Sequence, residues 1–126
     1  MLGNMLKKLL LFLAIIICSS VFAGEYEDAI ENHDKVFLYL YTPECGYCTK
    51  FSTFFEKLSE LYGEKCKFLK IDASTKYGEE LAKRFGIRFI PYVIIVEAKK
   101  DRGVVINPSC LVEYSCINKI VDDVLK

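Results

Sequence analysis

Residues 41–51 read YTPECGYCTKF, and this stretch decides the fold because it separates two different hydrophobic patterns. The apolar block Val36–Tyr41 precedes the two cysteines, and a helical pattern that continues to Tyr62 follows them. Cys45 and Cys48 are therefore predicted to lie where a strand meets the start of a helix. Unpaired N–H groups at a helix start favour a thiolate, which is the form of cysteine that attacks disulfides. The first hypothesis is thiol–disulfide exchange, with Cys45 as the attacking thiol and Cys48 as the second.

Residues 1–23 are predicted to be a secretory signal peptide. Lys7 and Lys8 are followed by the almost wholly apolar segment Leu9–Cys18, and the pattern ends with the small residue Ala23. A basic start, a short apolar core and a small residue before the cleavage site are typical of such a peptide.

Two alternatives for this N-terminal segment stay open. One is an uncleaved membrane anchor, although Leu9–Ala23 has 15 residues and a spanning helix needs about 20. The other is lipidation at Cys18, although the large Ile17 stands where a lipoprotein signal normally has a small residue. With cleavage near Ala23, we expect residues 24–126 to form one domain that is periplasmic or secreted.

The charge balance gives no sign of a nucleic-acid partner. The chain of 126 residues has 17 basic and 17 acidic side chains, and removal of Lys7 and Lys8 would leave 15 basic and 17 acidic ones. A nucleic-acid-binding domain normally carries a basic surface. We expect a monomer with no nucleic-acid contact, no cofactor and no metal.

Hydrophobic periodicity predicts alternating helices and strands. The predicted strands are Val36–Tyr41, Lys67–Asp72, Tyr92–Val96 and Val104–Ile106. The predicted helices are Glu25–Asp34, Gly46–Tyr62, Lys76–Phe85 and a last one that begins near Ser115. Strand–helix–strand units imply parallel neighbours, and the closing hairpin adds antiparallel strands. The predicted class is α/β, with a mixed sheet of about four strands.

With these elements in place, the chain resembles the thioredoxin superfamily. The motif Cys45-Gly46-Tyr47-Cys48 opens a helix after a buried strand, and residues 86–92, GIRFIPY, resemble the segment that holds the cis-proline of the family. The resemblance implies a thioredoxin-like three-layer fold, with helices on both faces of the sheet. The dipeptide Gly46-Tyr47 is similar to that of periplasmic disulfide isomerases.

The resemblance also implies a role for each matching residue. Cys45 would be the exposed attacking thiolate, and Cys48 would resolve the mixed disulfide. Pro91 would be cis and lie beside the cysteine pair, and the backbone of Ile90 would pair with an extended substrate segment. Gly46 and Tyr47 would lie on the same substrate-binding surface.

The chain departs from the family pattern at three positions. Tyr39 stands where thioredoxins usually have a buried Asp, Phe68 stands where they usually have its Lys partner, and Glu44 replaces the Trp before the motif. A carboxylate beside Cys45 disfavours its thiolate, so we expect a reducing couple rather than a strong oxidant.

The remaining cysteines leave several interpretations open. A disulfide between Cys110 and Cys116 is expected to be structural, and a second redox pair that exchanges electrons with Cys45 and Cys48 is the alternative. A zinc site made of these four cysteines is less favoured, because their spacing is not that of a standard zinc ribbon and no partner His accompanies them. Cys66 is predicted to be a small buried residue.

These observations predict an exported thiol–disulfide oxidoreductase that reduces or isomerises disulfides. Its expected substrates are other cysteine-containing exported proteins, and a membrane redox partner is expected to recycle it. The alternative is a non-catalytic secreted binding domain with the same fold, in which Cys45–Cys48 is an inert staple.

Overall fold

Residues 3–8 and 24–126 are described in the computed structural model of the chain. Residues 3–8 are helical and exposed. The rest of the predicted signal peptide, including Cys18 and Ala23, lies outside the described residues. Among those that are described, no helix is both long and apolar enough to cross a membrane.

Four helices and four strands follow in the predicted order. They are α1 (Glu25–Asn32), β1 (Lys35–Tyr41), α2 (Gly46–Tyr62), β2 (Lys67–Asp72), α3 (Lys76–Phe85), β3 (Tyr92–Glu97), β4 (Arg102–Val105) and α4 (Tyr114–Leu125). Short 3-10 segments lie at Ala98–Lys100 and Pro108–Val112. The α/β class and the mixed sheet of four strands are confirmed.

Strand β1 lies in the middle of the sheet, whose strand order is β2-β1-β3-β4. It runs parallel to β2, with Tyr39 opposite Lys70, and antiparallel to β3, with Tyr39 opposite Val93. β3 and β4 form the predicted antiparallel hairpin. The strand that ends at the cysteine motif is therefore paired on both sides.

The alternating side chains of β1 divide the core into two layers. Val36, Leu38 and Leu40 face one layer, which also contains these residues of α1 and α3: Tyr26, Ala29 and Leu81. Phe37 and Tyr39 face the other layer, which also contains these residues of α2 and α4: Phe51, Phe55, Leu58, Ile117, Val121 and Leu125. Helices on both faces explain why the strand is apolar at every position.

The glycines after α2 and α3 end their helices in different ways. Gly86 adopts the left-handed conformation, with φ of 65°, and its N–H donates to backbone carbonyls of α3, as in a common helix end. Gly63 stays right-handed, with φ of −60°, and the chain continues as a turn in which the N–H of Cys66 donates to the carbonyl of Tyr62.

The hairpin differs from its predicted bounds because of a buried carboxylate. β3 extends to Glu97, and β4 begins at Arg102 rather than Val104. The side chain of Glu97 is buried and accepts a hydrogen bond of 2.7 Å from Arg102. This ion pair lengthens the hairpin, and Asp101 closes its turn with φ of 47°.

Burial of Cys66 predicts a pH-dependent contribution to stability. Desolvation raises the pKa of its thiol from 9.0 to about 11, against smaller opposing effects from the Phe37 backbone and Lys35. Because the folded state holds this proton more tightly than the unfolded chain, stability falls as pH rises from 9 towards 11. Two pKa units correspond to a loss of about 3 kcal/mol at most.

Comparison with Cys66→Ala isolates this effect from the titration of tyrosines. Urea unfolding at several pH values should show that the native protein loses more stability than the variant between pH 9 and 11. If the difference in unfolding free energy between the two proteins stays constant from pH 9 to 11, the prediction is wrong.

Candidate active site

Cys45 caps the N-terminus of α2, immediately after the turn that follows β1. Its backbone is extended, and its Sγ accepts a hydrogen bond of 3.1 Å from the N–H of Cys48. This N–H is one of the four at the helix start that have no partner within the helix. The partial positive charge there favours a thiolate at Cys45.

A disulfide joins Cys45 to Cys48, and the two residues differ in exposure. Their Cα atoms lie 5.2 Å apart. Cys48 is 1% exposed, whereas Cys45 is partly exposed and packs at the margin of the core. Cys45 is therefore the more accessible of the two cysteines, and the attacking and resolving roles expected from the sequence stay predictions.

Two hydroxyl groups lie beneath the disulfide and bind the carbonyl of Cys48. The Tyr39 hydroxyl donates to this oxygen at 2.9 Å, and the Ser52 hydroxyl donates to it at 2.8 Å. The two hydroxyls lie 3.1 Å apart. Burial raises the pKa of Tyr39, and the hydrogen bond to Ser52 opposes this. Tyr39 is therefore a neutral, packed floor for the site rather than a buried acid.

Lys70 lies near this floor, although no sequence motif predicted it there. Lys70 is the β2 partner of Tyr39, and its Nζ lies 4.6 Å from the ring centre of Tyr41. Together with Cys48, Lys70 lines a cleft of about 240 Å³. Phe68, two residues earlier, instead stacks on Phe37. The parallel register was the signal that could have identified Lys70.

An apolar groove of about 310 Å³ reaches the cysteine motif at Tyr47. Its lining consists of Tyr47, Phe89, Ile90, Pro91, Pro108, Ser109, Leu111 and Val112. The peptide bond between Ile90 and Pro91 is cis. Tyr47 is 71% exposed, so its ring is available to a bound molecule. Of the residues expected on the substrate surface, Tyr47, Ile90 and Pro91 line this groove, whereas Gly46 is exposed outside its lining.

A second disulfide joins Cys110 to Cys116, whose Cα atoms lie 5.3 Å apart. Cys110 belongs to the 3-10 segment Pro108–Val112, and Cys116 lies in the first turn of α4. The helix begins at Tyr114, close to the expected Ser115. A 3-10 segment and a break at Glu113 thus allow two cysteines six residues apart to meet.

Removal of the second disulfide is expected to lower stability moderately. The bond closes a short loop, so Cys110→Ala/Cys116→Ala should reduce the free energy of unfolding by about 2 kcal/mol. Urea unfolding without reductant measures this difference. Under strong reduction the native protein also lacks the bond. Most of the difference in unfolding free energy between the native protein and the variant should then disappear. An unchanged difference under reduction would show that the bond is not its cause.

The four cysteines of the zinc alternative are paired in these two disulfides. In residues 3–8 and 24–126, no group of three or more His, Cys, Asp or Glu side chains could hold a metal ion.

The arrangement of sheet, helices and helix-start disulfide places the chain in the thioredoxin-fold class. The first thioredoxin domain of mouse protein disulfide-isomerase A4 has this fold, with a TM-score of 0.67 and 25% identity over 82% of this chain and 71% of that domain's chain. The family model described as Thioredoxin matches residues 18–112. The chain therefore belongs to the thioredoxin family.

Two thioredoxins illustrate the similarity in sequence. Thioredoxin from Griffithsia pacifica is 30% identical over 81 residues, which cover 64% of this chain and 72% of that protein. Thioredoxin 2 from Plasmodium falciparum (isolate 3D7) is 32% identical over 77 residues, which cover 57% of this chain and 48% of that protein. A probable protein disulfide-isomerase A4 from Caenorhabditis elegans is matched over 12% of its length. The chain thus spans less than half of these last two relatives.

Proposed function

We propose that this chain is a thiol–disulfide oxidoreductase that reduces or isomerises disulfides in other exported proteins. One observation carries the proposal: an accessible Cys45 at a helix start is bonded to a buried Cys48 and lies beside an apolar groove. An i, i+3 disulfide at such a place is a poor staple, because its loop is very short. Its exposure instead suits exchange with a second disulfide.

The reaction consists of two exchanges at sulfur. In the first, the Cys45 thiolate attacks a substrate disulfide, a bond forms between Cys45 and one substrate sulfur, and the other leaves as a thiolate. In the second, the Cys48 thiolate attacks Sγ of Cys45, the Cys45–Cys48 bond forms, and the remaining substrate sulfur leaves. The substrate gains two electrons, and the two Cys45/Cys48 thiol protons end on its cysteines through solvent.

The groove gives the substrate a defined place beside Cys45. Tyr47, Phe89 and Val112 provide exposed apolar surface there. The backbone of Ile90, before the cis-proline, would pair with an extended substrate segment as an added strand. We therefore expect a polypeptide with apolar residues near its disulfide rather than a small polar disulfide.

Reduction of insulin by the reduced protein tests the activity. The native protein should reduce insulin disulfides, and Cys45→Ser should be inactive although folded. If the native protein shows no turnover and Cys45 resists alkylation near neutral pH, the chain is instead a non-catalytic binding domain. The presence of Tyr39, where thioredoxins usually have a buried acid, favours the non-catalytic binding domain.

The charge of Glu44 is expected to lower the reduction potential of the couple slightly. A carboxylate beside Cys45 disfavours its thiolate and so favours the disulfide. We expect a reduction potential between about −180 and −270 mV, below the about −120 mV of the strongest oxidants of this fold. Because Glu44 is exposed, Glu44→Gln should raise the potential by only about 5–20 mV.

Equilibration with glutathione buffers measures both potentials. Glu56→Gln, an exposed substitution later in α2, is the matched control and should leave the potential unchanged. A lower potential in Glu44→Gln than in the native protein would contradict the expected effect of this charge.

Export and recycling complete the proposal. The basic and apolar pattern of residues 1–23 supports cleavage near Ala23, and mass spectrometry of the processed protein should then show Gly24 as its first residue. An oxidised Cys45–Cys48 pair needs a reductant for the next cycle, and for an exported protein we propose a membrane redox protein in this role. Retention of residues 1–23 in the processed protein would favour the anchored alternative.

A further inference from the structure

The apolar groove has two walls that come from distant parts of the sequence. One wall contains Tyr47 of the cysteine motif and the segment Phe89–Pro91. The other wall is the 3-10 segment Pro108–Val112, from which Pro108, Ser109, Leu111 and Val112 line the groove. Ser109 is the one lining residue with a polar side chain apart from Tyr47. The second wall therefore supplies much of the apolar surface that a bound segment would meet.

The hydrogen bonds of the second wall are local, although its Cys110 and Leu111 side chains are buried in the main core. The N–H of Cys110 donates to the Asn107 carbonyl at 2.9 Å, and the Asn107 side chain accepts from Ser109. These hydrogen bonds join neighbours and do not fix the segment against the rest of the protein. Five residues of 3-10 helix also have little stability of their own.

The Cys110–Cys116 disulfide adds a covalent link to a larger element. It connects the middle of the wall to α4, whose Ile117 and Val121 are buried in the main core. Cys110 lies between Ser109 and Leu111, so both of its neighbours line the groove. Any shift at Cys110 would therefore move the groove lining directly.

We propose that the Cys110–Cys116 disulfide is a specificity-determining element, which positions Leu111 and Val112 to receive an apolar residue next to the substrate cysteine. The proposal rests on the oxidoreductase function proposed above. The occupant is an extended, disulfide-bearing polypeptide segment, because the groove is apolar and is lined by Tyr47, which lies between the accessible Cys45 and Cys48 in the motif. Loss of the bond would weaken discrimination between substrates and leave the sulfur chemistry of Cys45 and Cys48 unchanged.

The test compares three activated disulfides with protein in which only Cys45–Cys48 has been reduced. Two are peptides whose cysteine carries a thionitrobenzoate group and is followed by either Leu or Ser, and the third is the small reagent dithiobisnitrobenzoate. Released thionitrobenzoate reports the attack in each case. Alkylation and mass spectrometry verify that Cys110–Cys116 is intact in the native protein before the assay.

We expect the native protein to react with the Leu peptide about tenfold faster than with the Ser peptide, in second-order rate constant, as a groove for one apolar side chain allows. In Cys110→Ala/Cys116→Ala, the preference should fall to about twofold or less, while the rate with the small reagent stays within about twofold. An unchanged preference in this variant would show that the bond is only a staple. An equal loss with all three reagents would show that the bond supports the active site in general rather than its specificity, and would overturn the proposal.

A second variant keeps the test decisive if the double variant does not fold. Val112→Ser alters the wall without touching the disulfide, and Val105→Ser on β4 is its matched control. The two side chains are 44% and 51% exposed, and only Val112 lines the groove. Val112→Ser should lose most of the preference for the Leu peptide, and Val105→Ser should keep it. Equal preferences in both variants would overturn the proposal. A native protein that reacts with none of the three reagents would overturn the oxidoreductase function itself.

Discussion

Replacement of Cys48 by alanine is expected to convert the protein into a trap for its substrates. Cys45 keeps its place at the start of α2, so it can still attack a substrate disulfide. The second exchange is lost, because Cys48 is the thiol beside Cys45 and the free thiol of Cys66 is buried elsewhere in the protein. The mixed disulfide should then persist, and turnover of insulin should fall by at least about 100-fold, since intramolecular attack has a large effective concentration.

Non-reducing gels and mass spectrometry of the exported fraction measure the adducts. Cys45→Ala is the matched control and should form none, because Cys48 is buried and cannot receive a substrate. Adducts should contain Cys45 and disappear with reductant. Adducts of equal abundance in both variants would place the attacking thiol elsewhere, and their absence from Cys48→Ala would contradict the proposed mechanism.

Replacement of Tyr39 by alanine is expected to be the most destabilising single change at the floor of the active site. The side chain is 0% exposed and packs against the rings of Phe51 and Phe55, with ring centres 4.8 and 5.4 Å away. Truncation of a buried aromatic residue leaves a cavity in the core between β1 and α2. The free energy of unfolding should fall by about 3–5 kcal/mol, as measured by urea unfolding of the oxidised protein.

Tyr39→Phe is the matched control for the hydroxyl group. It keeps the ring and removes one hydrogen bond to the Cys48 carbonyl, which Ser52 still binds. The expected loss is about 1 kcal/mol. Together the two variants separate packing from hydrogen bonding. A loss below about 1 kcal/mol in Tyr39→Ala would contradict the assignment of this ring to the core.

Local patterns were enough to predict most of the fold. A strand that is apolar at every position indicated cover on both faces, and the two core layers around β1 supply it. The regular spacing of apolar residues in Gly46–Tyr62 gave α2 its bounds. Cys45 and Cys48 could be placed at its start because the strand pattern ends just before them and the helical pattern begins there. These features depend on periodicity within one segment, which the sequence shows directly.

Features that depend on contacts between distant segments were harder to predict. Lys70 could not be predicted because its position depends on the register of β2 against β1, and the family pattern indicated Phe68 instead. The second wall of the groove depends on how Pro108–Val112 folds back beside Pro91. The extension of the hairpin to Glu97 and Arg102 likewise depends on an ion pair across the turn. No local pattern reports such contacts.

The neutral floor beneath the disulfide has a consequence for how the reduced protein titrates. Where a buried carboxylic acid lies near a thiol, the two groups share protons, and each titration curve contains steps that belong to the pair. Tyr39 occupies that position here, and burial raises the pKa of its phenol further above the neutral range. Near neutral pH it therefore gives up no proton and competes for none. Titration of the reduced protein in this range should therefore show no inflection from an acid beneath the two cysteines.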